Sequence, residues 1–203
     1  MTTAVEVGAQ NWKFAPCVTN PPDISKLSYD EASDAVNSDV MDIMGARVKN
    51  ICHEYITNLV NEIRHGNLDD DKKVLALYFL GALHPSDTNS IEVLIEYIDL
   101  KASRFDPAIS PRRWGEYPAE EALIVIGFPS INPILEHLPT ETNELRRHLM
   151  CKVLILVESR KGQVFYRSDG KMTAENQINQ KISDESDPVK KANLELALKE
   201  LEK

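Results

Sequence analysis

The chain has 203 residues, 42% of them hydrophobic and 27% charged, with only 8 glycines and a formal net charge of −9. That composition excludes a disordered chain and argues against a turn-rich all-β fold, while the acidic balance opposes broad contact with a phosphate backbone, whose affinity comes from Lys and Arg releasing counterions. No apolar run approaches the roughly 20 residues that cross a bilayer; the longest, Leu149 to Val157, is interrupted by Lys152. The length suits one core, or a stack of small repeats sharing one. Cys17, Cys52 and Cys151 are far apart and in no C-x-x-C spacing, so neither a disulfide framework nor a zinc site is expected. The first ten residues carry neither a basic n-region nor an apolar h-region, which makes the cytoplasm the default expectation and an exported chain with its signal removed the alternative.

In chain order, residues 1–27 read as an extended arm. They have no helical period, and Pro16, Pro21 and Pro22 block one. Ser28 and Glu31 have the S-x-x-E form of a capping box, with Val36, Val40, Ile43 and Met44 near one helical face behind it. Val48, Cys52, Tyr55, Leu59 and Ile63 draw the next stripe, ending at His65 with Gly66 as C-terminal cap. Asp69, Asp70 and Asp71 put carboxylates where a helix dipole favours them, ahead of the apolar run Val74 to Leu83. Pro85 ends that helix and Ser90 is expected to start the next, with its stripe Ile91, Leu94, Ile95 and Ile98.

From Ala119 to Val157 the chain reads as three short apolar helices joined by two short turns. Ser130 is the expected cap of the middle one, whose stripe Ile131, Ile134, Leu135 and Leu138 repeats the earlier spacing. Leu80-Gly81 and Ile126-Gly127 end corresponding helices. The basic pairs Lys72-Lys73, Arg146-Arg147 and Lys190-Lys191 sit just inside three helix starts, and the unit beginning at Pro118 lacks such a pair. Paired helices recurring about every 30 to 45 residues are the signature of an α-solenoid.

The stretch PAEEALIVIGFPSINPILEHLPTETNELRRHLMCKVL resembles a HEAT-type, armadillo-like repeat: an Ala-bearing helix ending in an apolar residue and Gly, a turn, an Ile/Leu-rich helix, and an acidic turn leading to an Arg-bearing helix. Asp187 to Leu201 is similar to the last of these segments, with lysines for arginine. The resemblance implies an all-α fold, a short α-α solenoid in which residues 28–203 form one helical-repeat domain, 28–66 being atypical and 69–203 HEAT-like. It also implies protein interaction as the commonest role of such repeats.

Two segments have no place in a minimal repeat. Leu100 to Pro118 carries Phe105, Trp114 and Tyr117 beside Lys101, Arg104, Arg112 and Arg113. It is a locally basic, aromatic stretch of an acidic chain, and aromatics and Arg dominate binding hot spots. Ser159 to Lys171 carries Val164, Phe165 and Tyr166, followed by Ser168-Asp169-Gly170, a small hairpin or apolar flap. Arg104, Phe105, Arg112, Arg113, Trp114, Tyr117, Phe165 and Tyr166 are therefore the candidate partner-binding residues; the competing reading folds these aromatics back onto the helices. One segment follows the second helix of a pair and the other a first helix, so the two are expected at opposite edges.

Catalytic motifs are not found. His53-Glu54 is a single His-Glu pair and His137 follows Glu136 in reverse order, whereas the iron-dependent hydroxylases among HEAT-repeat proteins use several such pairs. His65 and His84 suit helix ends, and Asp69 to Asp71 lacks the glycine and terminal glutamate of a calcium loop. The glycines are isolated, so no phosphate cradle is expected. The expectation is a non-enzymatic scaffold or interaction module with a protein partner and no cofactor or metal. A ligand- or metal-binding enzyme or carrier with a pocket beneath the insertions is the alternative, and a nucleic-acid binder, disfavoured by the charge, is third.

Overall fold

The computed structural model describes residues 21–44, 53–83, 85–103, 116–159 and 170–202; at 37, 39–44 and 53 it describes the backbone alone. Every regular element among them is helical. Nine α-helices run in order: α1 (Tyr29–Met44), α2 (His53–His65), α3 (Asp70–Ala82), α4 (Thr88–Glu96), α5 (Pro118–Ile126), α6 (Ile131–His137), α7 (Glu144–Ser159), α8 (Gly170–Asp184) and α9 (Pro188–Leu201). Short 3-10 turns precede α1 at Ile24–Lys26 and flank α6 at Phe128–Ser130 and Leu138–Thr140.

Most starts follow from side chains that take up the N–H groups a helix leaves unpaired. The capping box forms: Ser28 N donates to Glu31 Oε2 at 2.9 Å and Glu31 N to Ser28 Oγ at 3.3 Å. Asp69 accepts from Lys72 N at 2.9 Å, Asn143 from Leu145 N at 2.9 Å, and Asp187 from Val189 N at 2.8 Å. Two expected caps are corrected. α4 starts at Thr88, capped by Asp87, which accepts from the Ser90 backbone N–H and hydroxyl; the acidic acceptor immediately before the helix outcompetes a serine already inside it. Ser130 makes no capping bond. Its hydroxyl instead points backwards to Gly127 O at 2.6 Å and Leu123 O at 3.2 Å, adding to the backbone bonds that those carbonyls already accept at the end of α5. Gly170 and Lys171 are also not part of a hairpin, since they open α8.

α3 and α5 lie in the middle of the packing. Leu75 to Ala82 are all buried, as are Ala119, Glu120, Ala122, Leu123 and Ile124, so both helices are apolar round most of their circumference rather than along one stripe. α1, α3, α5, α7 and α9 touch one another in that succession, and α2, α4, α6 and α8 do likewise. A single apolar cluster runs from Ile24 to Leu201, with Tyr55 edge-on to Phe79 at 5.7 Å between α2 and α3.

Gly127 sits at φ 81°, ψ −134°, a conformation that a side chain would strain. There the chain turns by 113° between α5 and the helical stretch 128–140. Among the described residues no single helix is long and apolar enough to cross a membrane.

Candidate interaction site

Of the candidate partner-binding residues, Tyr117 is the one the structure describes; Arg104, Phe105, Arg112, Arg113, Trp114, Phe165 and Tyr166 lie outside the described residues. Tyr117 is the extended residue before α5 and packs, half-buried, against the core. The two ends of the first insertion are joined: Ala102 N donates to Glu116 O at 2.9 Å, and Lys101 and Glu116 form an ion pair. Ser103 also bonds to Asp71 at the start of α3. Residues 104–115 therefore leave from and return to one closed base beside the α3 N-terminus.

The base of the second segment lies elsewhere. Its ends, Ser159 and Gly170, are in contact, and a Cβ on Gly170 would stand 2.6 Å from Ser159 N and 2.7 Å from Ile155 O. α7 relates the two bases. Its first turn meets the end of α4, near which the first insertion departs, through Arg146, while Ser159 is its last residue. The rise of a helix separates these points by roughly 20 Å, so the anchors lie at opposite ends of α7, as the helix order implies.

Arg146 is the most connected side chain at the first edge. Its Nε donates to Glu141 Oε2 at 2.8 Å, Nη1 to Glu96 O at 2.8 Å and Asp99 Oδ1 at 2.9 Å, and Nη2 to Ile95 O at 3.0 Å. Burial alone would pull this guanidinium down, but the bonds to Glu141 and Asp99 outweigh it and push its pKa up. The other basic residues at helix starts are also engaged where the structure shows partners. Lys72 Nζ donates to Ser25 O at 3.3 Å, Lys73 lies 4.8 Å from the Tyr97 ring centroid, and Arg147 Nη1 donates to Glu141 O at 3.3 Å. In α5 the matching positions carry Glu120 and Glu121. Glu120 is 1% exposed and pairs with Lys152 of α7 at 2.6 Å, a reversal of charge that the missing basic pair signalled and whose burial it did not.

Nothing among these groups is arranged as a catalytic set. His137 Nε2 meets Glu92 Oε2 at 2.6 Å, tying α6 to α4, and His148 Nδ1 lies 3.4 Å from Glu200 Oε2, tying α7 to α9. Among the described residues no three His, Cys, Asp or Glu side chains are grouped to hold a metal ion. Burial pushes the Cys151 thiol up to about 12, with the charge of Glu200 adding to it and Arg147 opposing it; held protonated, this thiol packs as a small apolar group. An open cleft of about 310 Å³ lies between the turn after α6, the end of α8 and the start of α9. Its rim mixes Glu136, Asp184 and Glu185 with Lys181 and Lys190, and its position at the far end of α8 from Gly170 puts it away from the base of the second insertion.

Comparison with protein-family models, with curated proteins and with solved structures gives no match.

Proposed function

We propose that this chain is a non-enzymatic interaction module built as a short HEAT-like α-solenoid, with the Leu100 to Pro118 segment as its protein-binding element. The observation that carries the reading is the closed base of that segment: Ala102 bonded to Glu116 and Ser103 to Asp71 hold both ends of a stretch containing Phe105, Arg112, Arg113 and Trp114 against the helix edge. A loop whose ends are held by a rigid scaffold loses less freedom on binding, and its Arg and aromatic residues are those that supply binding energy. The successive contacts within the odd-numbered and within the even-numbered helices are the packing that a stack of helix pairs produces. The partner is read as a protein with carboxylates facing the arginines.

The test replaces Arg113 and Trp114 together by alanine and compares capture of partners from source-cell lysate, with circular dichroism as the folding control. Loss of a specific partner at unchanged helicity supports the reading; retention of every partner removes the segment from it.

A further inference from the structure

The turn Ile24–Lys26 is held from two helices at once. Ile24 is fully buried among the core residues. The peptide group on each side of the next residue is read by a side chain from a different helix: Ser25 N donates to Glu62 Oε1 of α2 at 3.1 Å, and Ser25 O accepts from Lys72 Nζ of α3 at 3.3 Å. The outward-facing groups bond within the turn, Asp23 pairing with Lys26 at 2.6 Å and accepting from the Ser25 hydroxyl at 2.5 Å. The contact thus consists of one fully buried aliphatic side chain, Leu27 packed partly buried behind it, and one main-chain donor and acceptor met by a carboxylate and an ammonium. This is the grammar of peptide recognition, in which backbone bonds supply generic affinity and a side-chain recess supplies selectivity.

We infer that the recess between α2 and α3 is a peptide-binding site, occupied here by the chain's own residues 23–27 and open, when that strap leaves, to a partner segment carrying a branched aliphatic residue followed by a small polar one. It is independent of the Leu100 to Pro118 segment and stands or falls separately. Occupancy by the strap shields Glu62, whose carboxyl burial pushes up, so an empty site would present two charged side chains with no peptide to bind. The strap is held by a single 3-10 turn, the buried Ile24, the partly buried Leu27 and two side-chain bonds, just ahead of the Ser28 capping box that holds α1 by itself.

The experiment uses the full chain. Ile24→Asp places a carboxylate in the apolar core and should expel the strap; a labelled peptide of residues 21–28, Pro-Pro-Asp-Ile-Ser-Lys-Leu-Ser, is then titrated by fluorescence anisotropy. The expected result is binding to Ile24→Asp at least about tenfold tighter than to wild type, lost when Glu62→Ala and Lys72→Met are added, and absent for the same peptide with Asp in place of its Ile. A folded Ile24→Asp chain that ignores the peptide, or that binds both peptides equally, overturns the proposal. Should that variant not fold, hydrogen exchange on wild type decides. A Ser25 amide that exchanges through a local opening, well before the α3 amides, supports a strap that leaves, and one that exchanges only with global unfolding overturns it.

Discussion

Arg146 Nη1 reaches Asp99 Oδ1 at 2.9 Å across 47 positions of sequence, and the same guanidinium bonds the carbonyls of Ile95 and Glu96 in the last turn of α4. One side chain thereby serves as C-cap of α4 and as ionic partner of both Asp99 and Glu141, a task that needs several donors in a planar fork. Arg146→Ala is expected to lower the unfolding free energy by about 2–3 kcal/mol, since it removes bonds to two carbonyls and two carboxylates together, although Ile95 O keeps the Ile98 N–H and Glu141 the Asn143 N–H. Arg146→Lys should recover less than half, because one ammonium cannot reach four acceptors. Urea denaturation measures both; a full rescue by lysine would show that charge alone suffices.

The Glu120–Lys152 pair is unequal, the carboxylate being sealed and the ammonium half in water. Lys152→Met should cost about 1–3 kcal/mol, less than breaking a fully buried pair because solvent reaches the lysine side. Adding Glu120→Gln should restore most of that loss, and a double-mutant cycle in thermal or urea unfolding reads the coupling. Additive effects would mean that the two side chains do not depend on each other.

Gly170 opens α8 where Ser159 and Ile155 of α7 come closest. Gly170→Ala should destabilise the chain by about 1–3 kcal/mol through overpacking against backbone atoms. Ser159→Ala in the same chain should not rescue it, because Ser159 N and Ile155 O remain in place. Chemical denaturation monitored by far-ultraviolet dichroism tests this, and rescue by Ser159→Ala would place the conflict in the hydroxyl.

Burial raises the Glu62 carboxyl above its ordinary 4.5, partly offset by the Ser25 N–H and reinforced by Asp23. A carboxyl raised in the folded chain binds its proton more tightly there than in the unfolded chain, so its contribution is present at and below pH 4.5 and is lost as pH rises through the higher folded value. Glu62→Gln keeps an acceptor for Ser25 and removes the titration. Its melting temperature is therefore expected to match wild type near pH 4 and to exceed it near pH 7. A difference that is constant with pH would locate the effect in packing.

What could be read ahead of the structure was local. The Ser28–Glu31 box, the Asp69 cap and the turn at Gly127 each depend on residues within four positions of one another, and each forms. The stripe Ile91, Leu94 and Ile95 and its repeat at Ile131, Ile134 and Leu135 are buried. Two local expectations gave way to chemistry: Asp87 caps α4 in place of Ser90, and Ser130 bonds the carbonyls behind it rather than the N–H groups ahead. Of the candidate site, Tyr117 and the bases of the two insertions are placed, and the closure of Ala102 on Glu116 had no sequence signal, since a backbone bond carries no residue identity.

The sequence by itself determined that this is an all-α chain and where most of its helices begin and end, because helical hydrogen bonds, caps and apolar periodicity act over one turn and are written in residues three and four apart. Only the tertiary structure decided that Arg146 would close the end of α4, that Glu120 would be buried against Lys152, and that Glu62 and Lys72 would grip Ser25. Those choices join positions dozens of residues apart, and several end on main-chain atoms that every residue shares, so nothing in the order of side chains distinguishes them until the helices have packed.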